Sequence, residues 1–384
     1  MQSMNTFHRL RYDGSIVASI PVKTAGGNYS VRVQPGLLQN LSAHVRKTGL
    51  AKGKIFVVTT PEIWKLWGKK FLASFAKDTA APEILFLPSG ERHKRLASVE
   101  KLADAMVERS ARRDSLLIAF GGGVAGDLTG FLAAVYMRGI PYVQVPTTYL
   151  AQIDSSVGGK TGVNLRTGKN LIGSFHQPAV VLTDPKLLQT LPPRELRAGL
   201  VESIKAGVLG DGAYFNWLEK NCGALLRGDL NALAQAIHVS VRIKARIVSA
   251  DERESGQRML LNLGHTIGHA IEAATQYRKL LHGEAIAWGM IAAVRLAEAR
   301  GALQSAEARR IEHLLLRLGP LPKFSTTAQR LLQLTDADKK NRSRTRNFIL
   351  PVKIGKAIVV TDVTTKEMLV AIRSMMQTVQ EMGA

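Results

Sequence analysis

The chain has 384 residues, 46% of them hydrophobic and 21% charged, with a single cysteine, Cys222; this length allows two globular domains, and the lone thiol excludes an intrachain disulfide framework and suits a reducing cytoplasm. The 52 Lys and Arg against 30 Asp and Glu give a formal charge of +22, yet the cations are spread without a tract or interleaved aromatics, so an anionic small molecule is expected as partner rather than nucleic acid. The opening residues carry no apolar secretory core and no apolar run reaches the roughly 18 residues of a membrane span, so the expected location is the cytoplasm, with no membrane partner.

Taken in chain order, residues 15–22 and 29–33 flank Gly26-Gly27-Asn28 and predict a β-hairpin. Residues 54–60 read as a buried strand with a helix from about Pro61, and 83–87 as a second strand with a helix over 96–109. The apolar run 115–120 ends in a glycine loop, and 142–146 and 179–183 read as later strands. This alternation predicts an α/β sheet. Pro192 and Pro193 break the pattern and open a mainly helical half: 195–209, 212–220, 230–250, 264–274, 283–298 and 304–318. A hairpin over 347–352 and 357–360 and a closing helix follow. The predicted domains are an α/β unit, residues 1–185, and a mainly α-helical unit, residues 186–384.

Gly121-Gly122-Gly123-Val124-Ala125-Gly126-Asp127 fits G-x-G-x-x-G between a strand and a helix. Such glycines let backbone N–H groups approach a pyrophosphate at a positive helix end. The loop lies mid-chain, and about 20 residues on stands Val145-Pro-Thr-Thr rather than an acid, so a standard Rossmann half is not expected. Residues 138–170 are dense in glycine, lysine and polar groups. Gly158-Gly159-Lys160-Thr161 ends like a P-loop, but Asp154 stands where the earlier glycine is required. The segment reads as a polar loop region suited to phosphate or carboxylate oxygens.

Gly264-His265-Thr-Ile-Gly-His269-Ala-Ile-Glu272 is followed by Leu281-His282-Gly283-Glu284. His265 and His269 are four apart and share a helix face. Imidazoles gathered this way suit zinc or a similar ion. Thr266 excludes the H-E-x-x-H pattern, so the further ligands are open among His282, Glu272, Glu284 and Glu202. Glu202 and Lys205 sit at i, i+3 on one predicted helix.

Six ordered segments then resemble the 3-dehydroquinate synthase family of sugar-phosphate cyclases: GGGVAGDLTGF, RGIPYVQVPTTYLAQIDSSVGGKTGVN, GKNLIGSFHQP, LPPRELRAGLVESIKAG, LNLGHTIGHAIE and LHGEAIAWGM. The resemblance runs from about Val57 to Val360. It implies an N-terminal nucleotide-binding α/β domain, a helical metal- and substrate-binding domain, a cleft between them, and a homodimer. It implies one divalent metal, zinc or alternatively cobalt, on Glu202, His265 and His282. It places NAD at Gly90, Glu91, Lys94, Gly122, Gly123, Val124, Ala125, Gly126, Asp127, Thr147 and Thr148, with Lys160, Lys169, Leu187, Leu188, Gln189 and Thr190 nearby. It implies catalytic roles for His269, Lys160, Asn170, Asp154, Lys205 and Glu254, and substrate contacts from Arg138, Lys244, Arg258, Asn262 and one of Lys339 and Lys340. The implied reaction turns 3-deoxy-D-arabino-heptulosonate 7-phosphate into 3-dehydroquinate and phosphate: transient oxidation by NAD, phosphate β-elimination, re-reduction and aldol closure. The alternatives are a valiolone- or inosose-type cyclase and a metal-dependent polyol dehydrogenase.

Overall fold

A computed structural model describes residues 18–76, 81–342 and 347–381, the side chains of Ala18 and of 336–342 excepted. The chain runs β1 (Ala18–Thr24), β2 (Gly27–Val33), α1 (Leu41–Arg46), β3 (Ile55–Thr59), α2 (Pro61–Ala73), β4 (Glu83–Phe86), α3 (Leu96–Glu108), β5 (Leu116–Gly121) and α4 (Gly123–Val135). Then come β6 (Tyr142–Pro146), β7 (Lys160–Val163), β8 (Ile172–Phe175) and β9 (Val180–Thr183). The helices α5 (Pro193–Gly210), α6 (Gly212–Leu226), α7 (Leu230–Ala250), α8 (His265–Ala274), α9 (His282–Ala299), α10 (Ser305–Arg317) and α11 (Ala328–Arg342) follow, and β10 (Phe348–Lys353), β11 (Lys356–Val360) and α12 (Thr365–Glu381) end the chain.

Contacts divide the chain into a sheet unit, Leu10–Pro192 with Gly228–Glu252, and a helical unit, chiefly Pro193–Arg227 with Arg253–Ala384, in their described residues. The sheet unit carries seven strands in the order β1-β2-β9-β6-β5-β3-β4. Every neighbouring pair is parallel except β1 with β2. The strands β5, β6 and β9 are buried along their whole length, as central parallel strands covered on both faces must be. The chain steps from β3 outward to β4, then returns to the other side of β3 to lay down β5. The order therefore reverses between β3 and β5, and the carboxyl ends of those strands are where an open α/β sheet receives its ligand.

The predicted elements form with small shifts at their ends, and residues 15–17 of the first predicted strand lie outside the described residues. Three features differ from the reading of the sequence. Residues 160–175 fold into the hairpin β7–β8, which begins inside the predicted loop region 138–170 and runs past its end. Helix α11 was not anticipated. Helix α7 forms over the predicted residues but belongs with the sheet, packing on β1, β2 and the π-helical turn Ala151–Ser155. Its amphipathic pattern announces a buried face, yet nothing in the pattern says which partner buries it. No helix among the described residues is long and apolar enough to cross a membrane.

Candidate metal centre and nucleotide loop

In the helical unit, three helix segments bring the implied ligands together. Glu202 and Lys205 lie on one face of α5, both buried. His265 opens α8 and His282 opens α9. Their approach depends on glycines: a Cβ on Gly283 would sit 1.8 Å from the Ala198 carbonyl oxygen of α5, and one on Gly289 would sit 2.0 Å from the Gly264 oxygen at the start of α8. Backbones packed this closely leave the side chains at the helix starts converging. One ligand atom each from Glu202, His265 and His282 lies within 4.8 Å of the others. The Glu202 Oε1 is 3.9 Å from Nε2 of both His265 and His282.

The chemistry of this set fits a divalent cation. Both Glu202 carboxylate oxygens are buried; the Lys205 ammonium forms an ion pair with Oε2, and Oε1 is left toward the two imidazoles. His265 Nδ1 faces the Leu263 carbonyl at 3.1 Å, which assigns the proton to that nitrogen and leaves Nε2 toward Glu202. Burial first, then Lys205 and the neighbouring imidazoles, hold His265 well below the ordinary histidine range, so its lone pair is available. On His282 burial works against the charge, but Glu272 and then Glu202 outweigh it and shift the ring upward. Glu272 faces His282 Nδ1 at 3.5 Å. A second set, His269, Glu272 and His282, also has its ligand atoms within 4.8 Å. Glu284, open as a ligand from sequence, is instead engaged by Arg194 at 2.7 and 2.8 Å and by the Leu281 N–H at 2.8 Å.

In the sheet unit, β5 ends in the glycine loop and α4 begins with Gly122 as its N-cap, without a side chain capping the first turn. The Thr147 N–H donates to the Gly121 carbonyl at 2.9 Å, which ties the end of β6 beside this loop. Beside it Lys94, 4% exposed, donates to Asp127 at 2.5 Å and to Asn170 at 2.6 Å. Burial alone would push the Lys94 ammonium down, but Asp127 and Glu91 outweigh it and the net shift is upward. Asn164 donates its side-chain amide to Glu91 at 2.8 Å and its backbone N–H to the Lys94 carbonyl at 2.8 Å, and accepts from Asn170 N–H at 2.9 Å. Lys244 on α7 binds the Asp154 carboxylate at 2.6 Å and its carbonyl at 2.7 Å.

A family model described as 3-dehydroquinate synthase N-terminal matches residues 84–198, and one described as 3-dehydroquinate synthase C-terminal matches residues 199–341. The 3-dehydroquinate synthase of Solibacter usitatus (strain Ellin6076) is 47% identical over 356 residues, covering 92% of this chain and 98% of that protein. The chain belongs to the 3-dehydroquinate synthase family. The Bordetella pertussis 3-dehydroquinate synthase is 45% identical over 88% of this chain and 94% of its own. Among solved structures, a 2-epi-5-epi-valiolone synthase from Streptomyces hygroscopicus subsp. jinggangensis 5008, with NAD+ and Zn2+ bound, superposes with a TM-score of 0.84 at 30% identity, covering 91% of this chain and 97% of that one. A glycerol dehydrogenase from Schizosaccharomyces pombe, 15% identical with a TM-score of 0.67 over 96% of this chain and 92% of its own, shares the fold. As a member of the 3-dehydroquinate synthase family the chain is a phosphate-eliminating lyase.

Within that family frame, the other residues singled out from sequence fall into the same two groups. Gly90, Glu91, Lys94, Thr147, Thr148 and the segment Leu187–Thr190 all follow carboxyl ends of sheet strands, as the glycine loop does. Leu187 and Leu188 are buried, whereas Gln189 and Thr190 are exposed, and Thr190 accepts from the Trp67 indole at 2.9 Å. Lys160, exposed, starts β7, and Lys169 and Asn170 lie in the turn before β8. In the helical unit Arg258 is buried, and Asn262 donates to Glu254 at 2.7 Å. Arg138, Asn170 and Glu254 are three of the seven non-glycine residues with positive φ among those described, at 67°, 54° and 62°. Strained backbone of this kind collects where a side chain must be aimed. The side chains of Lys339 and Lys340 lie outside the described residues. Sequence reasoning passed over Asn164, which closes the second resembling segment but was given no role, and Arg194, whose place just inside the helix start was legible but whose partner was not.

Proposed function

We propose that this chain converts 3-deoxy-D-arabino-heptulosonate 7-phosphate to 3-dehydroquinate and phosphate, with a divalent ion, zinc or cobalt, on Glu202, His265 and His282 and NAD along the carboxyl ends of the sheet. The observation that carries the reading is the convergence of those three ligand atoms within 4.8 Å around a buried carboxylate that has the Lys205 ammonium on Oε2 and leaves Oε1 toward the two imidazoles. The valiolone synthase solved with NAD+ and Zn2+ bound supports the choice of both groups. The ion supplies Lewis acidity toward substrate hydroxyls, and NAD supplies a hydride acceptor restored within each turnover.

The residues divide the remaining work. Lys205 sets an ammonium against Glu202 and offers N–H donors to a substrate oxygen at the cluster's edge. His269, one turn beyond His265 on α8, holds or passes a proton for the substrate, and Asn170 offers its amide to a substrate oxygen. The Arg258 guanidinium gives a substrate carboxylate a fork of donors, with Asn262 oriented through Glu254. Lys160 and Lys244 bind anionic oxygens, Lys244 held by Asp154. The N–H groups at the start of α4, which no side chain caps, would receive a pyrophosphate. Gly90, Glu91 and Lys94 line the same end of the sheet, with the Lys94 charge balanced by Asp127. Arg138 and one of Lys339 and Lys340 complete the substrate contacts. The same reading places the enzyme in the cytoplasm as a homodimer, which light scattering measures.

The test supplies purified protein with NAD+, Zn2+ and the heptulosonate phosphate. Phosphate release with 3-dehydroquinate formed, no net NADH, and loss on chelation are the expected results. Steady NADH accumulation contradicts the cycle. Equal turnover of a sugar phosphate that lacks the carboxylate would move the assignment to another cyclase.

A further inference from the structure

The structure assigns a positioning role to the Arg194–Glu284 pair: we infer that it clips the start of α9 to the start of α5, and so sets the separation of His282 from Glu202. The inference rests on the metal centre proposed above. Arg194 is the second residue of α5, eight positions before Glu202, and Glu284 is the third residue of α9, two after His282. The contact is a two-pronged fork, Nε to Oε1 at 2.7 Å and a terminal nitrogen to Oε2 at 2.8 Å. The same terminal nitrogen donates to the Lys279 carbonyl at 3.0 Å, in the turn that leads into α9. Glu284 Oε2 also accepts the Leu281 N–H at 2.8 Å, so one carboxylate caps the helix that His282 opens and anchors it to the neighbouring helix.

The asymmetry of exposure gives the clip its consequence. The Arg194 side chain is 49% exposed, but that of Glu284 is only 8% exposed. Without Arg194 a nearly buried carboxylate keeps a single backbone donor, and the helix start must move to let water reach it. The Gly283 backbone, pressed on Ala198, blocks motion toward α5, so α9 moves away and carries the His282 ring with it. Lysine at position 194 keeps the charge and loses the fork. Neither residue is offered as a ligand; both act through His282.

Apo-protein is titrated with Zn2+ against a chelator of known affinity, and its unfolding in urea is followed separately. The parent binds the ion. Arg194→Ala weakens binding about 10- to 100-fold, the range for removing an outer support of a metal ligand, and Arg194→Lys and Glu284→Gln weaken it less. The double variant Arg194→Ala with Glu284→Ala binds no more weakly than the poorer single one. Cobalt-loaded Arg194→Lys shows an altered visible spectrum. The control Arg295→Lys, which breaks the comparable fork to Glu312 at 2.8 and 2.9 Å, changes stability without changing affinity or spectrum. Arg194→Ala binding within twofold of the parent, or Arg295→Lys weakening it as much as Arg194→Lys does, overturns the clip. If Arg194→Ala does not fold, Arg194→Lys against Arg295→Lys decides on affinity and spectrum. A parent that binds no ion sinks the metal centre itself.

Discussion

The two clusters of this molecule are built in opposite ways. The candidate metal centre of the helical unit stands on three helices whose backbones touch through glycines, so Glu202, His265 and His282 converge because rigid rods are jammed together. The polar cluster of the sheet unit gathers segments that follow strand ends around Asp127 of α4 and is held by side-chain bonds: Lys94 to Asp127 and Asn170, Asn164 to Glu91. The lesson is that the first should fail by steric separation and the second by loss of charge balance. Each failure has its own signature.

The largest effect should come from the metal side. Glu202→Ala, or exhaustive chelation, is expected to cut phosphate release at least a thousandfold, about 4 kcal/mol of transition-state stabilisation. Added Zn2+ should restore the chelated parent and not the variant, and a variant above a tenth of parental rate would remove Glu202 from the ligand set. Next is Lys94→Met, which strands Asp127 and should cost about 4 kcal/mol in urea unfolding, together with loss of NAD binding followed by fluorescence. Undiminished NAD affinity would detach Lys94 from the nucleotide loop.

Gly283→Ala probes the steric half of the comparison. Its Cβ meets a backbone oxygen rather than a side chain that can swing away, so about 3 kcal/mol of stability should be lost, and Zn2+ affinity with it while NAD affinity persists. Loss of both affinities in a folded variant would show that the clusters do not fail separately.

The smallest effect is a pH dependence in the sheet unit. Burial first, then Arg242, lowers His238 on α7 to about 4, and its Nδ1 is buried without a partner. The unfolded chain takes up a proton near pH 6.5 that the folded chain refuses until about pH 4. Stability contributed by this site is therefore full above pH 6.5, falls across that window and levels below it. The change is about 2–3 kcal/mol, read from urea curves at pH 7 and 4.5. His238→Gln should flatten that part of the slope; an unchanged slope would assign it elsewhere.

How much was legible follows from the same contrast. The His265 and His269 spacing, the Glu202 and Lys205 spacing and the double proline that opens α5 are periodic signals, and helices carry periodic signals directly. The spacing alone left Glu272, Glu284, Glu202 and His282 open as further ligands. The family resemblance singled out Glu202, His265 and His282, and the close contacts of α5, α8 and α9 bring those three together and give Glu284 to Arg194. The glycine loop is legible as a phosphate-type turn, but its mid-chain place is explained only by the strand order, which sets β3 and β5 side by side where the sheet reverses.

The sequence by itself determined most element types, the helix starts other than that of α11 and the residue chemistry, because those depend on neighbours within a turn or a strand. Tertiary structure alone decided that α7 joins the sheet, that residues 160–175 pair as a hairpin, that Asn164 joins two loops and that Arg194 reaches Glu284. Each of those rests on contacts between residues far apart in the chain, where burial and hydrogen-bond satisfaction are settled by packing and leave no local pattern to read.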